Sequence, residues 1–241
     1  ADRNSATQRE YERLANPLPA LSGRRLVYGL SRFFMKTIGA RFSRGIKLGV
    51  ATGFDSGTTL DYVYRNRAEG LTPLGRLIDR NYLNAIGWQG IRLRKIHLEK
   101  LLRRAMSELH AADKPVRIVD IAAGHGRYVL DAVGEPSEIP ASGVLRDFSP
   151  INVEAGRRLI AERGLQERFA FEQGDAFNSA SLATLPRDAT VGIVSGLYEL
   201  FPENGPVRAS LAGLAAAVTP GGYLIYTGQP WHPQLEFIAR V

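Results

Sequence analysis

Short apolar runs alternate with segments of helical periodicity after Pro115, and this alternation constrains the fold more than any other feature of the chain. The apolar runs predict strands, and the segments between them predict helices. Strands that alternate with helices need crossover connections, which produce a parallel sheet with helices on both faces. The predicted strands are 116–121, 143–148, 169–173, 191–195 and 223–227. The predicted fold class is therefore α/β, with a doubly wound, mostly parallel sheet.

The first 112 residues follow a different pattern, which predicts an α-helical N-terminal cap on a sheet domain formed by residues 113–241. Helical spacing predicts helices that begin after Ser22, at residue 74 and near residue 89. The glycine-rich stretch 45–57 predicts a loop. The predicted buried side of the third helix consists of Ile91, Ile96, Leu98, Leu101, Leu102, Met106 and Leu109.

Composition excludes several classes of protein. The 241 residues are 44% apolar, which allows a sizeable core, but no uncharged apolar run is long enough to cross a membrane. Cysteine is absent, which excludes disulfides, thiolate metal sites and cysteine nucleophiles, and no spacing of His, Asp or Glu indicates a metal site. These features favour a cytoplasmic protein.

The net charge of +7 favours anionic partners such as nucleic acid, phospholipid headgroups or acidic metabolites. Seven basic residues and no acidic one lie within 24–47. The apolar residues of the first predicted helix fall at helical spacing, opposite Arg25, Arg32 and Lys36: Leu26, Val27, Leu30, Phe33, Phe34 and Ile38. The favoured interpretation is that this face packs into the core, and the alternative is peripheral contact with an anionic membrane surface.

The turn after the first strand, from Asp120 to Gly126, predicts a nucleotide-binding site. Small residues let the backbone approach a ligand closely, glycine permits positive φ, and the next helix begins with unpaired N–H groups. In an open parallel sheet, ligands bind beyond the carboxyl ends of the strands.

Three carboxylates follow three successive strands, at Asp120, Asp147 and Asp175. They are expected to converge on one edge of the sheet. A carboxylate at Asp147 can accept both hydroxyls of a ribose, while Asp175 can meet the edge of an adenine and Phe177 its face. The order of these residues strengthens the prediction of a nucleotide site.

The run 116–227 resembles the class I S-adenosylmethionine-dependent methyltransferases. Asp120 to Gly126 is similar to their glycine-rich first motif, although alanine stands at Ala122 where the family has its first glycine. Segment 146–150 is similar to the motif that ends their second strand, 174–176 to their adenine-side motif, and 219–224 to the turn before their fifth strand.

The resemblance implies S-adenosylmethionine as the cofactor and S-adenosylhomocysteine as the product. It implies that the first motif holds the methionine portion, Asp147 the ribose, and Asp175 with Ala176 the adenine. The predicted cofactor-binding residues are Asp120, Ala122, Gly124, Gly126, Tyr128, Asp147, Phe148, Asp175, Ala176, Phe177, Ser195 and Gly196.

Segments 53–57, 60–66 and 87–92 are similar to a bacterial group of methyltransferases often fused to α/β-hydrolase domains or encoded near lipid-processing enzymes. This likeness implies a fused or associated hydrolase domain and gives weight to a lipid acceptor. Family sheets end in an antiparallel hairpin, for which too few residues follow residue 227. The expectation is a C-terminally truncated sheet in a fragment of a longer chain.

A hydroxyl or protonated amine acceptor needs a base, and the residues after the fourth and fifth strands supply candidates. The predicted catalytic residues are Tyr198, Glu199 and His232, and the predicted substrate-binding residues are Tyr62, Tyr64 and Trp231. The leading hypothesis is a methyltransferase with a small-molecule or lipid acceptor. The alternatives are an RNA methyltransferase and a non-catalytic binding or assembly module with the same fold.

Overall fold

The computed structural model describes residues 6–134, 139–229 and 231–241. The helices in chain order are α1 (Ala6–Ala15), α2 (Gly23–Phe34), α3 (Ala40–Phe42), α4 (Arg44–Thr52), α5 (Gly57–Arg65), α6 (Pro73–Leu83), α7 (Ile86–Ala111), α8 (Arg127–Val133), α9 (Pro150–Glu162), α10 (Ser179–Ala183), α11 (Asn204–Ala215) and α12 (Leu235–Arg240). The strands are β1 (Val116–Asp120), β2 (Ala141–Asp147), β3 (Phe169–Gln173), β4 (Ala189–Val194) and β5 (Val218–Tyr226).

The strands form one sheet in the order β3-β2-β1-β4-β5, and every described pair is parallel. The chain builds outward from β1 to β3, then returns to the other side of β1 to add β4 and β5. The order therefore reverses between β1 and β4, which is where such sheets bind ligands. The predicted Rossmann-like α/β fold is confirmed.

The start of β5 differs from the prediction. Residues 220–222 were expected to form a turn before a strand at 223–227, but they lie inside β5. The pairing register jumps from Ala189↔Val218 to Val191↔Tyr223, and Gly221 has a φ of +77°. The Pro-Gly-Gly segment therefore forms a bulge within the strand, which glycine permits because it adopts positive φ without a Cβ clash.

Helix α7 contributes a buried stripe to the sheet core. Leu98, Leu102, Met106 and Leu109 are each at most 2% exposed and belong to the same apolar cluster as Ile118 of β1. The prediction was wrong for Ile96 and Leu101, which are 46% and 52% exposed. Residues 98, 102, 105, 106 and 109 share one arc at 100° per residue, and the two exposed side chains lie outside it.

The glycine-rich stretch was wrongly predicted as a loop, because its first part forms helix α4. Ser43 caps this helix by accepting a hydrogen bond from the amide of Ile46 at 3.1 Å. The buried carboxylate of Asp79 accepts hydrogen bonds from Ser43 Oγ at 2.6 Å and from the amide of Gly45 at 2.9 Å. A Cβ at Gly49 would stand 2.2 Å from the ring of Phe54, so this glycine serves close packing rather than a turn.

Helix α2 begins as predicted, with Ser22 Oγ accepting from the amide of Arg25 at 3.2 Å. None of its residues is buried, however. The interpretation that its apolar face packs into the core is therefore wrong.

Contacts divide the chain into two compact units. The helical unit comprises Ala1–Phe54, Asn66–Gly90 and Trp231–Val241, and the sheet unit comprises Asp55–Arg65 and Ile91–Pro230. The predicted boundary between residues 112 and 113 stays a prediction; these units differ from it by joining α5 and most of α7 to the sheet. In the described part of the chain, no helix is long and apolar enough to cross a membrane.

Candidate donor-binding site

A cavity lies within the sheet unit, at the carboxyl ends of β1, β2 and β4. Its empty volume is about 710 Å³, which includes space open to solvent. The lining residues come from α5 and from the turns after the three strands: Asp55, Gly57, Leu60, Asp61, Tyr64, Ala122, Ala123, Gly124, His125, Arg127, Tyr128, Asp147, Asn152, Ser195, Gly196, Leu197 and Leu200.

The turn after β1 forms the floor of the cavity. Gly124 and Gly126 have φ values of +60° and +72°, in the left-handed region that glycine adopts without strain. A Cβ at Gly126 would also stand 2.6 Å from Leu145 Cδ1. The amide of Ala122, at the position where the resembling family has glycine, donates to Asp120 Oδ1 at 3.1 Å.

Asp147 ends β2 and ties three segments of the site together. Its Oδ2 accepts from the amide of Gly124 at 2.9 Å, while its Oδ1 accepts from the amide of Ser149 and from Asn152 Nδ2, each at 2.9 Å. A carboxylate oxygen can accept more than one hydrogen bond, so Asp147 retains acceptor capacity toward the cavity.

Asp120 lies fully buried beneath the turn, where it accepts a hydrogen bond from the Tyr128 hydroxyl. Burial raises the pKa of this carboxyl to about 7, because the charged form loses its solvation, although the Tyr128 hydrogen bond opposes that rise. Burial and the neighbouring Asp120 carboxylate raise the pKa of Tyr128 well above its usual value. The two side chains thus form a hydrogen-bonded pair under the cavity floor.

Helix α5 closes one side of the cavity against the turn. A Cβ at Gly57 would stand 2.7 Å from the Cα of Gly124, so only glycine allows this approach. Asp61 accepts from Arg127 Nε at 2.5 Å and lies 3.5 Å from His125 Nδ1. Hydrogen bonds and charge from His125 and Arg127 outweigh burial and lower the pKa of Asp61.

The turn after β4 lines another part of the cavity, and Thr227 and Arg94 of α7 contact it. Thr227 Oγ1 accepts from the amide of Gly196 at 2.8 Å and lies 3.3 Å from Ser195 Oγ. Arg94 Nη1 donates to Glu199 Oε1 at 2.6 Å, with both side chains mostly buried. Glu199 is a member of this ion pair and is not among the residues that line the cavity.

The structure brings together only part of the predicted site. Among the predicted cofactor and substrate residues, those that line the cavity are Ala122, Gly124, Tyr128, Asp147, Ser195, Gly196 and Tyr64, with Asp120 directly below. Sequence reasoning pointed to α5 only through Tyr62 and Tyr64. It missed Gly57, Leu60, Asp61 and Asn152, because helical residues 57–65 carry no motif that points to a nucleotide. Their only local signal was the pairing of Asp61 with Arg65 four residues later.

Other predicted residues lie outside the cavity lining. Tyr62 is fully buried and does not line the cavity, so its predicted contact with a substrate stays a prediction. Phe148 is 71% exposed, and the Asp175 carboxylate accepts from the amide of Phe177 at 2.8 Å. Gly126, Ala176, Phe177 and Tyr198 also lie outside the lining, so their roles stay predictions.

Tyr198 and the two C-terminal candidates have local partners. The Tyr198 hydroxyl lies 3.0 Å from Ser210 Oγ, and burial raises its pKa. Trp231 and His232 belong to the helical unit, where the amide of Gln234 donates to His232 Nδ1 at 3.0 Å. Burial lowers the pKa of His232. The catalytic and substrate-binding roles of these three residues stay predictions.

The fold and the cavity define an α/β protein with a ligand site at the switch point of a parallel sheet. Comparison with known proteins then identifies the family. Residues 1–241 match the family described as "Putative methyltransferase", and the chain belongs to that family.

The chain is 56% identical over 225 residues to the uncharacterised protein YnbC of Escherichia coli K12, covering 93% of this chain and 38% of that protein. It therefore spans well under half the length of this curated relative. Among solved structures, a possible exported protein from Bordetella parapertussis has a TM-score of 0.58 at 17% identity, covering 71% of this chain and 53% of that one. That likeness shows a shared fold.

A methyltransferase from Geobacter sulfurreducens, solved with S-adenosylhomocysteine, has a TM-score of 0.38 at 22% identity, covering 51% of this chain and 47% of that one.

Proposed function

We propose that this chain binds S-adenosylmethionine in the sheet-unit cavity and transfers its methyl group to a hydroxyl or amine of a small-molecule or lipid acceptor. The charge of the lining is the observation that carries the proposal. Three carboxylates line the cavity: Asp61 is paired with Arg127, and Asp55 and Asp147 supply the negative charge that remains. S-adenosylmethionine carries a positive sulfonium and an ammonium group, which such a lining favours.

The residues of the floor fit the donor. The two left-handed glycines keep side chains away from the turn, and Asp147 Oδ2, which accepts one hydrogen bond, has acceptor capacity left for a ribose hydroxyl. In this proposal the turn 122–126 holds the methionine portion and Asp147 the ribose. The donor supplies a methyl group activated by attachment to positive sulfur.

The acceptor is expected against the apolar part of the lining. Leu60, Leu197 and Leu200 line the cavity together with the ring of Tyr64. Burial raises the pKa of Tyr64, although the charge of Arg94 and its hydrogen bond oppose that rise. An apolar wall with few polar groups is typical of sites for small organic molecules and lipids.

Asp55 is the proposed base, because its carboxylate is part of the lining while Glu199 is engaged by Arg94. The acceptor oxygen or nitrogen forms a bond to the methyl carbon as the carbon–sulfur bond breaks. The bonding electrons remain on sulfur, which becomes neutral, and the acceptor proton passes to Asp55. Glu199 in this arrangement positions the turn after β4 through Arg94.

The same lining argues against RNA as the acceptor. Its basic side chains, Arg127 and His125, both lie against the carboxylate of Asp61. Nucleic-acid sites need basic groups that are free to neutralise phosphates.

The test is transfer of radiolabelled methyl from S-adenosylmethionine to a bacterial lipid extract, a pool of small metabolites and total RNA. We expect label in the lipid or metabolite fraction, and Asp55→Asn to reduce the rate by about 10²-fold or more, the usual contribution of a general base. Asp188→Asn is the matched control, because Asp188 pairs with Arg117 beside the opposite, amino-terminal ends of β1 and β4. Label confined to RNA, or full activity in Asp55→Asn, would overturn this proposal.

A further inference from the structure

Helix α2 presents its apolar face to solvent. Leu26, Val27, Leu30 and Phe33 are each between 59% and 66% exposed. At 100° per residue these side chains lie within one arc of the helix. The apolar surface continues into the π-helical turn Met35–Gly39 through Phe34 and Ile38, which are also exposed.

The polar side of α2 is the side that contacts the rest of the helical unit. Arg24 forms an ion pair with Glu236 of α12, and Arg32 Nη2 donates to the carbonyl oxygen of Arg240 at 3.2 Å. A helix that packed into a core would have the reverse orientation. The apolar arc is thus directed outward by specific polar contacts on the opposite side.

Basic side chains accompany this apolar surface. Lys36, Arg41 and Lys47 are exposed, and no carboxylate of the described residues lies within ion-pair distance of them. No acidic residue occurs anywhere from Arg24 to Lys47. An uncompensated positive charge next to exposed leucine and phenylalanine complements a surface that is both apolar and negatively charged.

We infer that α2 and the residues up to Lys47 bind the surface of an anionic phospholipid bilayer. The apolar arc enters the boundary between headgroups and acyl chains, and the basic residues contact phosphate groups. The helix lies in the plane of the interface. This binding needs no donor in the sheet-unit cavity, so it can be tested separately from methyl transfer.

The test is co-sedimentation of the chain with vesicles of phosphatidylglycerol and phosphatidylcholine, beside vesicles of phosphatidylcholine alone. We expect binding to the anionic vesicles, weaker binding to the neutral ones, and weakening by salt. The double variant Leu30→Glu/Phe33→Glu should reduce binding to anionic vesicles by about tenfold or more, since it places charge in the apolar arc. Leu101→Glu, at an exposed leucine of α7, is the matched control and should bind like the unaltered chain.

A second variant tests the charge without touching the apolar arc. Lys36→Ser/Arg41→Ser/Lys47→Ser should weaken binding to anionic vesicles and leave binding to neutral vesicles unchanged. Circular dichroism checks that each variant is folded, and analytical ultracentrifugation records its oligomeric state. Equal binding of the unaltered chain to neutral and anionic vesicles, or none to either, would overturn the inference. So would an oligomer that Leu30→Glu/Phe33→Glu dissociates, because the apolar arc would then belong to an interface between copies.

Discussion

Helices α2 and α7 have the same sequence signature but opposite surroundings. Both carry leucines at helical spacing with arginines between them. In α7, Leu98, Leu102 and Met106 are buried in the sheet core, whereas in α2 the corresponding face is exposed. The comparison teaches that periodicity identifies a helix and its apolar side, while the partner of that side depends on tertiary contacts.

The charged side chains of the two units also differ in how they are paired. In the sheet unit, the charged side chains near the cavity are matched by specific partners, such as Arg94 with Glu199 and Arg127 with Asp61. In the segment 36–47 of the helical unit, Arg44 pairs with Glu69, but the exposed Lys36, Arg41 and Lys47 have no such partner among the described residues. The charged side chains around the sheet-unit cavity contact one another, whereas the basic side chains of segment 36–47 are exposed to solvent.

The largest expected effect is on the ion pair of the sheet unit. Arg94→Met should destabilise the chain by about 3–5 kcal/mol, because Glu199 would keep a buried charge without its partner. Arg104→Met is the control: its pair with Glu108 is exposed, and the unfolding free energy should not change measurably. Urea unfolding monitored by circular dichroism measures both. Equal losses of unfolding free energy in Arg94→Met and Arg104→Met would contradict the expectation that the buried pair contributes more than the exposed pair.

Truncating one leucine in each of α7 and α2 compares how much the two apolar faces contribute to stability. Leu102→Ala should cost about 2–5 kcal/mol of unfolding free energy, since it leaves a cavity in a fully buried site. Leu30→Ala should change it by less than about 0.5 kcal/mol, because the side chain is exposed. A large loss in Leu30→Ala would contradict the exposed position of α2.

Asp120 makes the stability of the sheet unit depend on pH. Its folded pKa of about 7 lies above the usual value of about 3.8, so the folded state holds a proton that the unfolded state releases between these values. The contribution of Asp120 to stability is therefore present below pH 4 and declines by a few kcal/mol as the pH rises through 7. Unfolding free energies of the unaltered chain and Asp120→Asn, measured from pH 4.5 to 8, should show a steeper decline in the unaltered chain. Parallel profiles would contradict the raised pKa.

The smallest expected loss of stability comes from a substitution in the turn after β1. Gly126→Ala combines a strained φ with overlap on Leu145 and should cost about 2–3 kcal/mol. Gly164→Ala has a similar φ of +64° but no atom within 4 Å of the new Cβ, so it should cost only about 1–2 kcal/mol. Thermal or urea unfolding separates the two. Equal losses of unfolding free energy in the two variants would mean that the overlap with Leu145 adds nothing to the cost of the positive φ.

The alternation of strands and helices predicted the sheet, and the bounds of β3 matched the prediction residue for residue. The turn after β1 and Asp147 were also found from the sequence, because small residues and acids after strands have a local physical meaning. Helix α4 was missed because glycine, usually a helix breaker, serves packing against Phe54 there. Arg94, Thr227 and Asp61 were missed because their contacts join residues far apart in sequence.

Isothermal titration calorimetry with S-adenosylmethionine tests the central claim most directly. We predict saturable binding by the unaltered chain, with a Kd on the order of 1–100 μM (about −8 to −5 kcal/mol). Asp147→Asn should weaken it by at least about tenfold, because a carboxylate oxygen is replaced by an N–H donor, whereas Asp188→Asn should leave it unchanged. No heat of binding from the folded, unaltered chain, or equal affinity in Asp147→Asn, would contradict the account.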